Sequence, residues 1–429
     1  MIGNRWGLSP KVTMWLYKTV IRPMLTYGSV VWWPKTQQSA AISKLQRFQR
    51  LACLAITGSM STTPTAAIEA MLDLPPLHLF VRQEALATAV RLKTQNLWRM
   101  LPTAHSKILT MAAEKESSLL AISDKIPKQF IFDKKYKIQL REYTSEHNSV
   151  EDLLIFTDGS KTGNGTGAGV FSEDLNINIS HPLGPHNTVF QAECLGLLLA
   201  ASAIIKRNVT NYSIRILSDS KAALMAIKSH EITSGLTLEC HLALTKVCDL
   251  GNSLVLQWIK GHSNSRGNDA ADILARRASE TPVMGPFPII PIPASWTRMM
   301  ITQLTSTAQR AEWSSRSDCK QAREALPDID SRLARRLLNL RRVQLRVITG
   351  TLTGHGPFNK HLFNLGITDS PLCRACMATE ETAAHVIMEC KGVAEYRARH
   401  LGSPGSLPEA FGSPHKLLGF MEELGWFQF

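Results

Sequence analysis

Apolar positions along residues 1–100 recur three and four apart, the spacing of one helix face. Trp15, Leu16, Thr19 and Val20 make one such set, and Leu45, Phe48, Gln49 and Ala52 another. Pro23, Pro34, Pro64, Pro75 and Pro76 punctuate this stretch, and Gly58-Ser59 reads as a helix stop. Residues 101–150 are more polar, hold Lys134-Lys135 and read as a connector. From 151 the pattern changes. Short apolar runs bounded by turn residues predict strands at 153–157, 167–173, 176–181, 213–217 and 254–259. Helical spacing predicts helices at 189–206, 221–229, 237–249 and 268–279. Gly163, Gly165, Gly167 and Gly169 mark a glycine-rich hairpin region, not a P-loop, since no Gly-Lys-Ser/Thr follows.

Beyond 281 the chain is punctuated again. Pro282, Pro286, Pro288, Pro291 and Pro293 predict a stiff extended linker over 282–297. Residues 298–350 return to helix and are basic. Residues 351–395 hold a cluster of cysteines and a histidine, and 396–429 form a Gly/Pro-interrupted tail ending in Trp426, Phe427 and Phe429. There is no internal repeat.

Composition narrows the class. Hydrophobic residues are 44% and charged residues 19% of 429, enough to bury cores in two to four domains and unlike a disordered chain. The formal charge of +13 favours polyanionic partners, because basic side chains pair with phosphates and release counterions. Five of the eight cysteines are scattered and three cluster, which is no disulfide framework and points to a reducing compartment. The N-terminal residues lack the apolar core of a signal peptide, and the longest apolar run, 194–205, falls short of the about 20 residues that span a bilayer. The expectation is an intracellular protein.

In-line cleavage of a phosphodiester needs an activated water, charge relief on the phosphate and a stabilised leaving oxygen. Two divalent metals about 3.5–4 Å apart supply all three, and hard Mg²⁺ calls for carboxylates converging from several elements. Asp158 follows the first strand, Glu193 lies in the first turns of the long helix, Asp219 follows the strand at 213–217, and Asp272 lies on the last helix beyond a loop with His262. Singly, each has an ordinary explanation as a turn, dipole or capping residue. The ordered set is what carries the reading. Asp269 shares a helix face with Asp272, so either can be the fourth acid.

At these residues the sequence resembles the type 1 ribonuclease H family. The matching segments are Phe156-Thr157-Asp158-Gly159-Ser160, Gln191-Ala192-Glu193, Leu217-Ser218-Asp219-Ser220, Trp258-Ile259-Lys260-Gly261-His262 and Gly267-Asn268-Asp269-Ala270-Ala271-Asp272. The resemblance spans about 130 residues. It implies an α/β fold over 151–281: a ribonuclease H-like mixed five-stranded sheet with flanking helices. It places the four metal-binding carboxylates on Asp158, Glu193, Asp219 and Asp272, the last within Ala271–Ala275, and a mobile histidine on His262. It implies two Mg²⁺ (or Mn²⁺) ions, an RNA–DNA hybrid as substrate, and products with 3′-hydroxyl and 5′-phosphate ends.

Cys373, Cys376, His385 and Cys390 supply three thiolates and an imidazole, the donor set of tetrahedral Zn²⁺. Their middle spacing is wider than in the retroviral zinc knuckle. Between Ser331 and Arg346 stand Arg332, Arg335, Arg336, Arg341, Arg342 and Arg346 with no acid among them, a candidate phosphate-binding helix.

The flanks resemble the C-terminal part of non-LTR retrotransposon polyproteins of the jockey or R-element kind. Residues Trp15 to Gly28 with Trp32-Trp33-Pro34, Leu45 to Gly58 and Leu74 to Leu77 are similar to the thumb-like region following a reverse-transcriptase palm, and Leu352-Thr353-Gly354-His355-Gly356 fits the polyprotein's end. No Asp-Asp pair occurs, so the polymerase motif is missing and the chain is expected to be a fragment or a truncated gene copy. Such an element's life cycle implies a nuclear location. The rival readings are a catalytically idle, nucleic-acid-binding remnant, and a DNA nuclease of the same superfold.

Overall fold

The computed structural model describes residues 7–99, 104–143, 152–261, 265–283 and 290–427. The chain divides into two compact units.

One unit runs from Val90 to Leu101 and from Leu109 to Met300. Its strands, in chain order, are β1 (Lys125–Phe130), β2 (Lys137–Gln139), β3 (Leu153–Lys161), β4 (Thr166–Ser172), β5 (Ile177–Gly184), β6 (Ser213–Ser218), β7 (Glu231–Ser234) and β8 (Ser253–Trp258). The main sheet has six strands in the order β2-β8-β6-β3-β4-β5. β3, β4 and β5 form an antiparallel meander, while β3, β6, β8 and β2 run parallel. The four flanking helices are α1 (Val189–Lys206), α2 (Lys221–Lys228), α3 (Gly235–Asp249) and α4 (Arg266–Glu280).

Alternate residues of the strands enter different cores, as the two-residue period of a strand requires. Ile155, Ile214 and Ile216 pack with Ala192, Leu197 and Ala200 of α1 and Leu244 of α3, whereas Phe156 and Leu217 pack with Ala271 of α4. Helix α1 is apolar enough by composition to cross a membrane, with mean hydropathy 1.6 over 18 residues; 61% of it is buried within the unit, as befits a core helix. A capping box starts it: the Thr188 hydroxyl accepts from the Gln191 amide while the Gln191 side chain returns to the Thr188 amide.

Two expectations fail here. The sheet has six strands, not five, because Lys137–Gln139 in the expected connector adds a parallel edge strand to β8. Three residues with exposed lysine and glutamine at their ends leave no alternation to read. The same connector supplies β1, which pairs antiparallel with β7. The expected stiff proline linker over 282–297 ends early and is partly docked: Ile292 is buried, exchanges backbone hydrogen bonds with Ile122 and Asp124 (2.8 Å each), and the next helix begins at Ala294.

The other unit joins Met1–Ala89, Pro102–Ile108 and Ile301–Phe429. The N-terminal helices, the basic region, the cysteine cluster and the tail were expected as separate segments; they share one core, in which Tyr17, Ile56 and Met71 meet Leu345, Phe358, Cys390 and Phe420. The helical face expected at Leu45, Phe48, Gln49 and Ala52 is rotated. Gln49 is buried, bonding to the Tyr17 hydroxyl and the Glu69 carboxyl (2.7 Å each), and Phe48 is exposed. Burial pushes the Glu69 carboxyl up to about 8.

Candidate active site

Parallel pairing between β3 and β6 ends at Thr157 and Ser218. Asp158 and Asp219 are the next residues along the two strands, so they stand side by side where the parallel ladder stops. Asp158 does not end its strand as the sequence suggested: β3 continues to Lys161 by pairing with β4. Helix α1 then lays Glu193 against the same point. A Cβ on Gly159 would lie 2.7 Å from the Glu193 amide nitrogen and 2.9 Å from its Cγ, so only glycine permits this approach.

Ligand oxygens of Asp158, Glu193 and Asp219 all lie within 4.8 Å of one another. The fourth acid, Asp272 of α4, is half-buried and close enough for its charge to raise the Asp158 carboxyl. Helix α4 gets this close because β4 is bare where it crosses. A Cβ on Gly169 would sit 2.2 Å from the Ala271 carbonyl oxygen, and one on Gly167 2.3 Å from the Ser279 amide. Asp269, the alternative, is exposed, whereas Asp272 is half-buried and its charge acts on Asp158. His262 lies outside the described residues.

The electrostatics are those of like charges in a partly dry site. Burial, then the Asp219 and Asp272 charges, push the Asp158 carboxyl up to about 7; the Gly159 amide opposes the shift. Burial first, then Asp158 and Asp219, raise Glu193 well above the ordinary carboxylate range. Glu193 Oε2 is buried with no hydrogen-bond partner. An orphaned carboxylate oxygen beside two other acids suits a cationic partner, and an all-oxygen donor set fits a hard divalent ion.

Trp258 is a site residue the sequence reading did not single out by role. Its indole Nε1 donates to the Asp219 carbonyl (2.9 Å), and the Lys221 ammonium lies 3.6 Å over its ring. The clue was its place in the Trp258-Ile259-Lys260-Gly261 run. Ser220, not Asp219, caps α2, leaving the Asp219 carboxylate out of the cap.

With this geometry in place, comparison with known proteins is decisive for one region. Residues 150–280 match the RNase H family model. The chain carries an RNase H domain. It is 34% identical over 141 residues to the ribonuclease H of Schizosaccharomyces pombe, covering 29% of this chain and 52% of that protein. It is 32% identical over 74 residues to a putative 115 kDa protein of the type-1 retrotransposable element R1DM of Drosophila melanogaster, covering 17% of this chain and 7% of that protein. The chain thus spans about half or less of the curated relatives it matches. Among solved structures it is similar to the N-terminal RNase H domain of a Mycobacterium tuberculosis protein, solved as a fusion with maltose-binding protein. The identity there is 21% and the TM-score 0.24, over 30% of this chain and 98% of that one.

In the other unit Cys373, Cys376, His385 and Cys390 also converge, with ligand atoms within 4.8 Å of one another. The Cys373 and Cys390 sulfurs are 3.6 Å apart, and Cys376 Sγ is 3.4 Å from His385 Nε2. A tight turn presents the first pair, closed by the Met377 amide on the Cys373 carbonyl (2.8 Å). Fully buried Glu381 braces it, accepting from the Arg374 amide (2.8 Å) and guanidinium (2.7 Å) and from the Asn359 amide (2.8 Å).

The arginine run is two helices, Ser331–Leu338 and Arg342–Thr353, not one. Arg332, Arg335 and Arg336 are exposed and, with Asp330 and Asn339, border a shallow surface depression. Arg341 is exposed and Arg346 half-buried. Arg342 contradicts the phosphate-binding expectation. It is buried, and its guanidinium donates to the carbonyls of Leu8 (2.6 Å) and Ala55 and to the Thr13 hydroxyl (3.1 Å), so it ties helices together.

Proposed function

We propose that the chain hydrolyses the RNA strand of RNA–DNA hybrids, and that Asp158, Glu193, Asp219 and Asp272 hold two Mg²⁺ (or Mn²⁺) ions for the purpose. The observation behind this is the convergence of three acids from β3, α1 and the residue after β6, with the charge of the fourth acting on Asp158. Bound there, the ions would supply an activated water and charge relief on the scissile phosphate. The protein's own part is placement. Gly159 admits Glu193, bare β4 admits Asp272, and Trp258 fixes the backbone beside Asp219. His262 is assigned the proton exchanged with solvent, since imidazole titrates near neutral pH. Preference for RNA follows from contact with the 2′-hydroxyl, which DNA lacks.

The cysteine–histidine group is assigned a structural Zn²⁺, with all four positions filled by protein donors. The likeness to an R1 element protein supports a retrotransposon origin, and with it an intracellular, nuclear setting. The exposed arginines of Ser331–Leu338 are assigned to nucleic-acid phosphates. An idle binding remnant is disfavoured by the full set of acids.

The test is a substrate panel for the full chain with millimolar Mg²⁺: end-labelled RNA–DNA hybrid, duplex DNA and duplex RNA. Cutting confined to the hybrid's RNA strand, leaving 5′-phosphate ends, is expected. Cutting of duplex DNA would replace the reading with a DNA nuclease. Tight binding with no cutting would leave the idle remnant.

A further inference from the structure

Three rings are stacked on the surface of the unit that holds the acidic site. Phe130 ends β1, Phe132 follows on the same side of the extended chain, and His230 precedes β7. The Phe130 and Phe132 centroids are 6.3 Å apart with planes within 7°, and Phe132 stacks on His230 at 5.9 Å and 26°. Phe130 is 60% and Phe132 77% exposed. Large rings held parallel in water are a costly surface unless something flat covers them.

The surrounding charge says what that is. Residues 122–139 hold Lys125, Lys128, Lys134, Lys135 and Lys137 against Asp124 and Asp133. Asp124 is buried and spent on the Ser234 hydroxyl (2.7 Å) and the Leu236 amide (2.9 Å). Lys128 pairs with Glu231 and Lys135 with Asp249, both on the surface, where such pairs are weak and yield to phosphates. Lys134 donates to the Ser229 carbonyl (2.8 Å). Parallel rings among lysines are the chemistry of a single strand: bases stack on rings of any sequence while the backbone follows the cations.

The position is also informative. Helix α2 begins two residues after Asp219 and ends two before His230. Its eight residues span about 12 Å, roughly three to four nucleotides of stacked strand at about 3.4 Å each.

We propose that Phe130, Phe132 and His230 form a stacking platform for unpaired bases of single-stranded nucleic acid, with Lys128, paired to Glu231 opposite Phe130, and Lys134, held at Ser229 beside His230, on its phosphates. Its use, holding a strand that runs off the hybrid, rests on the hydrolase reading above; the binding itself does not.

The experiment is fluorescence anisotropy of the full chain with labelled 12-mers of oligothymidine and oligouridine, in chelator, so that no cleavage intervenes. Phe130→Ala/Phe132→Ala is expected to weaken binding about ten- to a hundredfold with unchanged thermal unfolding. Phe130→Tyr/Phe132→Tyr, which keeps the rings, should restore it. Cleavage of a short, fully paired hybrid at saturation should not change in either variant. Oligonucleotide affinity unaltered in the folded alanine variant would overturn the proposal. So would a dimer-to-monomer shift without loss of affinity, because the rings would then join copies of the chain. Tight binding by a wild-type chain that cuts no hybrid would uphold the platform and sink the hydrolase reading alone.

Discussion

Burial first, and then the neighbouring acids, oppose ionisation at the site, and this opposition has a readable sign. Asp158 ordinarily titrates near 3.8 and here is pushed up to about 7, so the metal-free fold favours its protonated form. The stability this confers is complete below the ordinary value and is lost as pH rises through about 7. At 1.36 kcal/mol for each tenfold change, the loss is on the order of a few kcal/mol. Asp158→Asn should therefore raise the stability of the metal-free chain at pH 8 and flatten its decline between pH 4 and 8, as read by urea unfolding in chelator. Millimolar Mg²⁺ should restore the wild type more than the variant. A wild-type stability that does not change over that range would refute the charge argument. Asp158, Glu193 and Asp219 could be picked out in the sequence, because their order along the chain is informative even though each alone is ordinary, and the fold brings these three together. The resemblance already favoured Asp272 over Asp269, and the helix leaves Asp269 exposed and Asp272 half-buried. Arg342 was misread for the opposite reason: a tally of arginines says nothing about which one faces inward.

The elements of the RNase H domain were legible wherever an alternation or a helical stripe was long enough, as in β3, β4, β6, β8 and α1. β2 was not, because three residues, two of them exposed, gain their pairing from β8 and not from their own pattern. The glycines of β4 were seen as a cluster, but their purpose is packing: α4 lies where side chains would be. Gly169→Val should push α4 outward, carry Asp272 from Asp158, and lower hybrid cleavage at least about tenfold, with about 1–3 kcal/mol lost in stability. Gly163→Ala, with nothing within 4 Å, should leave both unchanged. Equal cleavage by Gly169→Val and wild type in a gel assay would mean Asp272 is dispensable or the helix is not constrained.

The whole molecule was the least legible scale. Residues near both ends share a core, and contacts between positions some 300 apart leave no mark on local periodicity. Cys373 and Cys390 are buried in that core, so a metal at the cysteine–histidine group should stabilise that unit and not the RNase H domain. Zinc chelation should lower one thermal transition by several degrees and leave the transition of the RNase H domain in place, with Cys376→Ser mimicking chelation. A single transition indifferent to chelator and to added Zn²⁺ would remove zinc from the picture. Hybrid cleavage should survive the treatment, since the carboxylate site lies in the other unit.

The most direct measurement is the Mg²⁺ dependence of hybrid cleavage by the full chain beside its Asp219→Asn variant. The wild type should be silent in chelator and active at millimolar Mg²⁺. The variant should stay folded by circular dichroism and fall at least about a hundredfold, since even outer-shell changes at metal sites cost ten- to a hundredfold. Cleavage by the wild type in chelator, or by the variant within twofold of the wild type, would contradict a metal site built from these four carboxylates.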